Sequence, residues 1–255
     1  MPMTIPELTR ALVQLRLSGM TATLEARALQ VANHDMDFLE AVGCLVQDEL
    51  DRRRSRLLER RHTLSGLPDR KDLTSFDWTY NPRLPKRDVL ALATLKFLNA
   101  KEDVLVLGPP GTGKSHVAKA LATTAVGQGY KVLYREAHQL IEDITEAREL
   151  GALRKLRAQL ATADILLIYD LFLRKLPGHA GDELADVLMA RHEKASTMIT
   201  SNRPLDDWTR LLGDVVVVTP LLDRLLHHGH LLKFEGKSWR LKEAAARAAR
   251  SKPAA

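Results

Sequence analysis

Residues 108–115 read Gly108-Pro109-Pro110-Gly111-Thr112-Gly113-Lys114-Ser115, and this stretch decides the fold of the chain. It fits the pattern G-x-x-x-x-G-K-[ST], which forms a loop around phosphate groups. An apolar segment at residues 104–107 precedes it, and a helix-forming segment at 116–122 follows. A strand, a glycine-rich loop and a helix in this order distinguish a P-loop from a glycine turn that merely precedes a helix. The stretch therefore predicts a site for the phosphates of a nucleotide.

The residue types in this loop suit a polyphosphate ligand. Glycine lacks a Cβ atom and tolerates positive φ, so the backbone can curl and direct its N–H groups at phosphate oxygens. The following helix adds unpaired N–H groups and the positive end of its dipole. We expect Lys114 to reach the β- and γ-phosphates and Ser115 to place its hydroxyl on Mg²⁺. ATP and Mg²⁺ are the expected ligands, and the nucleotide-binding residues are Gly108, Pro109, Pro110, Gly111, Thr112, Gly113, Lys114, Ser115 and His116.

Apolar segments alternate with helical segments after the loop. Residues 130–134, 165–169 and 197–200 are predicted strands, and residues 137–161 and 182–194 are predicted helices. Strands that alternate with helices favour a parallel sheet between helices, with ligands at the carboxyl ends of the strands. The predicted fold class is therefore α/β, a P-loop NTPase.

Two polar residues follow predicted strands at the edge where a ligand would lie. A P-loop NTPase needs an acid after a second buried strand to hold Mg²⁺, and Asp170 follows the segment 165–169. Asn202 follows the next strand, where an amide can orient the attacking water or sense the γ-phosphate. Asn202-Arg203-Pro204 is also a turn signal, so simple turn chemistry is the alternative for Asn202.

Arg224 lies in a late predicted helix, residues 221–228. An arginine that reaches the ATP of a neighbouring subunit stabilises transition-state charge and is worth about 10³–10⁵ in rate. The residues alone do not separate this role from a surface salt bridge. The catalytic candidates are thus Asp170, Asn202 and Arg224.

The first 66 residues contain helical patterns and no strand-like run. Asp37 and Glu40 stand three apart and resemble a capping box at the start of a long helix. This helix continues into a run of arginines between residues 52 and 61, whose planar guanidinium groups suit phosphate contacts. The alternatives are a solvated helix face and a salt-bridge surface between subunits. The DNA-binding candidates are Arg52, Arg53, Arg56 and Arg60.

Composition limits the class of protein. The 255 residues are 45% hydrophobic and 27% charged, typical of a globular chain, and no apolar run is long enough for a membrane span. The N-terminus has no signal-peptide pattern, and the single cysteine, Cys44, excludes an internal disulfide. We therefore expect a cytoplasmic protein without a membrane partner. The formal charge of +6 favours an anionic partner, nucleic acid first.

Residues 67–100 form a connector with three aromatic residues, Phe76, Trp78 and Tyr80. Such residues either stack on a base or pin the connector onto the next domain, and we favour pinning. The predicted domains are a helical N-terminal domain for DNA or oligomer contacts (1–66), the connector with a lead-in helix (67–100), an ATPase domain (101–241) and a basic disordered tail (242–255).

Several motifs together resemble the IstB-like ATPases. They are the P-loop at residues 108–116, the strand and turn at 196–204, and Leu-Asp-Arg-Leu at 222–225. Residues 15–20 look like the N-terminal signature of that family, and 236–240 like its C-terminal one. The motifs occur in order over nearly the whole chain.

This resemblance implies an AAA+ fold of the initiator clade, close to the DnaC-type helicase loaders. Members are encoded beside a transposase in bacterial insertion sequences. They bind duplex DNA with ATP, form homo-oligomers with ATP sites at subunit interfaces, and stimulate the partner transposase. By the family pattern, Lys114 and Ser115 bind nucleotide and Mg²⁺, Asn202 is the first sensor, and Arg224 is the arginine finger.

The chain departs from the family at the second acidic motif, Walker B. The family usually has two adjacent acids there, whereas this chain has Tyr169-Asp170. By register, Tyr169 stands where the Mg²⁺-linked acid belongs, and a phenol cannot replace a carboxylate on a hard cation. Either Asp170 takes the metal role or one carboxylate is missing. Both options predict an ATPase with weakened hydrolysis and less affected nucleotide binding.

The leading hypothesis is an ATP-dependent DNA-binding regulator of transposition. A DnaC-like helicase loader would share the ATPase domain but use its N-terminus to grip a helicase. A nucleotide-binding scaffold with little hydrolysis is the alternative that Tyr169 suggests. A small-molecule P-loop kinase is a weaker fit, because it leaves the basic helical N-terminus without a role.

Overall fold

The computed structural model describes residues 3–173, 180–212 and 215–250. The chain divides into two compact units, Met1–Arg60 and Arg61–Ala255. The first is all-helical and the second holds the sheet. The functional division predicted from sequence, with DNA or oligomer contacts in the first 66 residues, stays a prediction.

The first unit contains α1 (Ile5–Gln14), α2 (Ser18–Ala32) and most of α3 (Phe38–Ser65). The capping box predicted before α3 is present: Asp37 N donates to Glu40 Oε2 at 3.1 Å, and Glu40 N donates to Asp37 Oδ1 at 2.8 Å. Gly19 in α2 donates its N–H to the buried carboxylate of Glu49 in α3 at 2.6 Å. The two helices lie very close together at this point, since a Cβ atom at residue 19 would meet the backbone of Glu49 at 2.6 Å. Glycine at this position therefore allows α2 to pack against α3.

The second unit contains a five-stranded parallel sheet, and the predicted α/β fold is confirmed. The strand order is β2-β3-β4-β1-β5. The strands are β1 (Asp103–Leu107), β2 (Val132–Glu136), β3 (Ile165–Leu171), β4 (Ser196–Ser201) and β5 (Gly229–Lys233). The helices are α4 (Lys86–Leu92), α5 (Lys96–Ala100), α6 (Lys114–Gly127), α7 (Ala137–Glu149), α8 (Leu153–Ala161), α9 (Ala180–Arg191), α10 (Leu205–Leu212), α11 (Val215–His227) and α12 (Trp239–Arg250).

The core lies on both faces of the sheet. Alternate residues of β1 point to opposite sides, so Leu105 packs with helices α7 to α11 and Val104 packs with α4 to α6. All five residues of β1 are buried, as expected for a central strand that is covered on both faces. This arrangement brings the carboxyl ends of β1, β3 and β4 to one edge.

The amino ends of the strands hold a buried polar cluster around Arg191. This residue ends α9 and is 1% exposed. Its guanidinium donates to Ala163 O at 2.9 Å and to Thr197 Oγ1 at 3.1 Å, and also to the carbonyl oxygens of Leu160 and Ser196. Asp103, at the start of β1, accepts a hydrogen bond from Thr197 N at 2.6 Å.

Some predicted elements differ from the structure. The single helix predicted over 137–161 is two helices, α7 and α8, because the chain turns at Gly151 with φ of 69°. The predicted lead-in helix is likewise split into α4 and α5. Residues 242–250 belong to α12, whereas the sequence predicted a disordered tail; alanine and arginine are strong helix formers. The last five residues of that predicted tail lie outside the described part.

Among the described residues, none of the helices combines the length and the apolar character that a bilayer span requires.

Candidate nucleotide-binding site

The P-loop connects β1 to α6 and is enclosed by two distant segments of the chain. A Cβ atom at Gly111 would lie 2.1 Å from Ser238 Oγ, and one at Gly113 would lie 2.6 Å from the ring of Phe76. Both glycines have positive φ, at 80° and 104°. The loop therefore requires glycine at these positions for its conformation and for the close approach of its neighbours.

Lys114 begins α6, and its side chain is buried at the end of β4. Its Nζ donates to Pro109 O at 2.8 Å and to Asn202 Oδ1 at 2.7 Å. Burial lowers the pKa of Lys114 to about 8, while the Asp170 carboxylate opposes the shift and Arg240 adds to it. Both hydrogen-bond acceptors are neutral, so the ammonium charge is available to a phosphate. The predicted lysine and the predicted sensor are thus in direct contact.

A bulge in β3 places Tyr169 and Asp170 at the site. Ile168 pairs with Ile199 and Leu171 with Ser201, so β3 has one residue more than β4 in this interval. Asp170 adopts φ of 52°, and its N–H donates to Thr200 Oγ1 at 2.9 Å. Bulges re-aim side chains near active sites. Here the bulge lets two consecutive side chains line the same pocket.

Tyr169 contacts the P-loop serine directly. Its hydroxyl lies 2.9 Å from Ser115 Oγ. Its ring lies beside that of Tyr134 on β2, with 5.8 Å between centroids, and Lys119 Nζ lies 5.6 Å from its centroid. The phenol therefore stands next to the hydroxyl that was predicted to bind Mg²⁺.

Asp170 is the carboxyl group that remains in the Walker B segment. Burial raises its pKa, while Lys114, a hydrogen bond from Tyr169 and Arg240 counteract that rise. Its position near Lys114 agrees with the catalytic role predicted for it, which stays a prediction.

The pocket around the loop has a volume of about 570 Å³. Besides the loop itself, the connector and the C-terminal segment line it. The residues from these segments are Asp69, Lys71, Ser75, Phe76, Asp77, Tyr80, Asn81, Leu84, Trp239 and Arg240. Pockets of this size suit small ligands that are mostly enclosed.

The aromatic residues of the connector both pin it and line the pocket. Tyr80 stacks edge-on against Trp239 at 5.1 Å, and its hydroxyl donates to Ser238 O at 3.2 Å. Asn81 forms two hydrogen bonds with the backbone of Lys237, at 2.9 and 3.0 Å. Phe76 packs on the P-loop. These contacts agree with the prediction that the aromatic residues pin the connector. The alternative, contact with a ligand, stays a prediction, and Phe76 and Tyr80 line the pocket.

His116 was assigned to the nucleotide site and lies in its wall. Its Nε2 is 2.7 Å from Asp72 O, and its ring contacts that of Phe76 with centroids 5.2 Å apart. These contacts tie the first turn of α6 to the connector.

Sequence reasoning missed Arg240 as a site residue. Its guanidinium is near enough to shift the pKa of both Lys114 and Asp170, and it lines the pocket. The signal was available, because residues 236–240 form a recognised motif. That motif had no assigned role, since nothing local in the sequence places α12 beside the P-loop.

Arg224 lies apart from the pocket of its own chain. It is exposed on α11, and its Nη1 lies 3.1 Å from Met189 Sδ. It is absent from the described pocket lining. A thioether is a weak acceptor, so this contact leaves the guanidinium available.

The four arginines predicted to contact DNA fall into two groups in the helical unit. Arg53 pairs with Glu49 of its own helix at 2.6 Å, and Arg52 donates to Ser18 O of α2, so both have partners within the unit. Arg56 and Arg60 are exposed on α3. The second pair is therefore better placed for an external ligand than the first.

The residues present depart from a usual P-loop Mg²⁺ site at one position, where Tyr169 stands in place of an acid. Mg²⁺ takes oxygen ligands, usually from one or two carboxylates together with phosphates. Here the Ser115 hydroxyl faces a neutral phenol, and Asp170 is the one acid of its motif. In the part of the chain that the structure describes, no group of three or more His, Cys, Asp or Glu side chains could hold a metal ion. The Mg²⁺ roles predicted for Ser115 and Asp170 stay predictions.

Comparison with known proteins gives relatives along nearly the whole chain. The family described as IstB-like ATP binding protein matches residues 10–247. A protein of insertion sequence IS5376 from Geobacillus stearothermophilus is 34% identical over 90% of this chain and 92% of its own length. A protein of insertion sequence IS21 from Pseudomonas aeruginosa is 35% identical over 93% and 89%. The names of both relatives ascribe ATP binding to them.

Solved structures share the fold of much of this chain. DnaA from Aquifex aeolicus bound to AMPPCP has a TM-score of 0.57 at 19% identity, over 74% of this chain and 57% of that chain. The structure of DnaI has a TM-score of 0.54 at 16% identity, over 66% and 90%. At these identities the likeness concerns the fold. With its P-loop, its parallel sheet and these relatives, the chain belongs to the family of IstB-like ATP-binding proteins.

Proposed function

We propose that this chain is an ATP-dependent DNA-binding AAA+ regulator, which assembles on duplex target DNA and recruits or stimulates a partner transposase. The observation that carries the proposal is the contact between Lys114 Nζ and Asn202 Oδ1 at 2.7 Å, within a complete P-loop. The relatives of the chain are insertion sequence proteins, and an insertion sequence moves as DNA. We propose that the binding of ATP, rather than its rapid hydrolysis, controls this assembly.

Arg224 supports an assembly in which neighbouring subunits share each ATP. The arginine is exposed and contacts only the weakly accepting Met189 sulfur among its described neighbours. A guanidinium without a strong partner suits an anion from outside the chain. We assign it to the ATP of the adjacent subunit.

Arg56 and Arg60 support the DNA-binding part of the proposal. Both are exposed on one helix, in a chain with a formal charge of +6. Exposed arginines bind DNA phosphates and release counterions, so their contribution depends on salt concentration. We assign the backbone contacts to these two residues rather than to Arg52 and Arg53, which have partners within the unit.

The decisive experiment measures assembly on DNA by sedimentation velocity. The wild-type chain is mixed with duplex DNA, with and without ATP, and compared with Lys114→Ala. We expect ATP-dependent oligomers for the wild type and none for the variant, because the phosphates lose their buried cation. Lys155→Ala, an exposed lysine on α8 outside the pocket, serves as the matched control and should assemble normally. Equal assembly of Lys114→Ala and wild type would reject the mechanism.

A second experiment tests the DNA contacts. In Arg56→Gln/Arg60→Gln, the slope of log affinity against log salt should flatten by about 0.9 for each DNA phosphate that is no longer neutralised. The control is Arg87→Gln/Arg154→Gln, which removes two exposed arginines from the other unit. An unchanged slope in the first variant would place the DNA surface elsewhere. Capture of a replicative helicase with no affinity for duplex DNA would instead indicate a helicase loader.

A further inference from the structure

We infer that this chain binds ATP without the gain in affinity that Mg²⁺ gives other P-loop proteins, because Tyr169 occupies the place of a metal-linked carboxylate. The inference rests on the proposed nucleotide-binding function and deepens it. In P-loop NTPases the metal is held by the loop Ser/Thr and by a Walker B acid. Here the loop serine, Ser115, is retained, and Tyr169 stands in place of the acid.

The contact between Tyr169 and Ser115 carries the inference. The two hydroxyl oxygens are 2.9 Å apart, so one of them donates a hydrogen bond to the other. A phenol brings no negative charge, whereas a carboxylate would attract a hard dication. The serine hydroxyl is thus paired with a neutral group on the side where the acid would normally stand.

The surroundings of Tyr169 hold both signs of charge: Asp170 accepts a hydrogen bond from it, and Lys119 lies beside its ring. Lys119 Nζ lies 5.6 Å from the centroid of the Tyr169 ring and 5.8 Å from that of Tyr134. It is held there by Asp69, whose Oδ1 is 2.7 Å from Nζ. An ammonium group beside an aromatic ring is a favourable contact, so Lys119 helps to hold the Tyr169 ring in place.

Two cationic side chains of the pocket can neutralise the phosphates in place of a metal. Lys114 is hydrogen-bonded only to neutral oxygens, and Arg240 lines the same pocket. Arg240 is also close enough to Lys114 to lower its pKa further. Charged donors bind phosphate oxygens strongly in a partly dry site. The nucleotide is therefore bound by the chain itself.

The test compares ATP affinity in EDTA and in Mg²⁺ at equal ionic strength, by equilibrium dialysis of the full chain. For the wild type we expect the two dissociation constants to agree within about threefold. In Tyr169→Asp the added carboxylate repels ATP unless a metal neutralises it, so binding in EDTA should be weaker than in Mg²⁺ by about tenfold or more. Tyr169→Asn, which is isosteric with the aspartate but uncharged, should keep the wild-type ratio.

The outcomes separate this inference from the function on which it rests. Wild-type binding that is tenfold or more weaker in EDTA would overturn the inference, at about 1.4 kcal/mol per decade, and leave the proposed function standing. Absence of ATP binding in both buffers would overturn the proposed function itself. The melting curve of Tyr169→Asp without ligand shows whether this variant folds. If it does not, the ratio of dissociation constants in EDTA and in Mg²⁺, measured for the wild type and for Tyr169→Asn, still tests the inference.

Discussion

At the amino ends of the strands, Arg191 directs its guanidinium at four protein oxygens, whereas at the carboxyl ends Lys114 directs its ammonium at two neutral oxygens beside an open pocket. Both side chains are almost fully buried, and burial lowers the pKa of each, to about 10 for Arg191 and about 8 for Lys114. The geometry, and not the burial, separates them. Arg191 is surrounded by the protein oxygens that it binds and holds the fold together, whereas Lys114 faces a pocket that a ligand can enter.

The largest effect is expected from breaking the amino-end cluster. Arg191→Met retains volume but leaves three carbonyls and Asp103 without their donor or their counter-charge. The free energy of unfolding should fall by about 3–5 kcal/mol, the range found when one partner of a buried charged network is removed. Chemical denaturation measures this decrease. A change below about 1 kcal/mol would mean that water replaces the guanidinium.

The pH dependence of stability sharpens the same comparison. Burial raises the pKa of Asp103 from 3.8 to about 6, against the opposing effects of Thr197 and Arg191. The neutral form is therefore favoured in the folded state, so this contribution is full below pH 3.8 and is lost as pH rises through about 6.

Asp103→Asn should remove that dependence. Its stability relative to wild type should increase by roughly 3 kcal/mol between about pH 4 and pH 6 and then stay constant. Denaturation curves at several pH values measure the difference. A difference that is flat across this range would show that Asp103 keeps its ordinary pKa.

Replacement of Lys114, at the carboxyl ends of the strands, should affect ligand binding and stability in the opposite way to replacement of Arg191. Lys114→Ala should weaken ATP binding by about 100-fold, since charged hydrogen bonds are worth up to about 3 kcal/mol. Without ligand, its free energy of unfolding should be unchanged or higher, because a buried charge with neutral partners is removed. Dialysis and denaturation on the same samples check both points. A variant as unstable as Arg191→Met would contradict the comparison.

The smallest effect is expected for Arg240, which is exposed. Arg240→Ala should weaken ATP binding by about tenfold, or about 1.4 kcal/mol, and leave stability unchanged. Arg247→Ala, farther along the same helix and exposed, is the control. Unchanged binding in Arg240→Ala would remove this residue from the nucleotide site.

The sequence predicted the parts of the site that local patterns encode. The P-loop, Asp170 and Asn202 each follow a strand-like segment, and parallel strands bring such ends to one edge. Local patterns do not predict contacts between distant segments, such as the hydrogen bond between Tyr80 and Ser238, which are 158 residues apart in sequence. The bulge in β3 was also invisible, because it arises from unequal pairing with β4 rather than from a turn residue.

Strand β5 escaped prediction for a related reason. Its sequence, Gly229–Lys233, is short and follows two histidines, so it resembled the end of a helix. It becomes a strand because β1 offers it a parallel partner, with Val104 opposite His230. Tertiary pairing decides the state of a short segment whose own preference is weak.

The close packing on the P-loop glycines restricts how the chain can diverge. Any side chain at residue 113 would occupy the space of the Phe76 ring, and any at residue 111 the space of Ser238. The glycines, Phe76 and Ser238 lie in three segments that are distant in sequence, yet each glycine leaves the space that its neighbour fills. A smaller neighbour would relieve the clash but not the backbone strain at these positive φ values, so we expect both glycines, Phe76 and Ser238 to be constrained together.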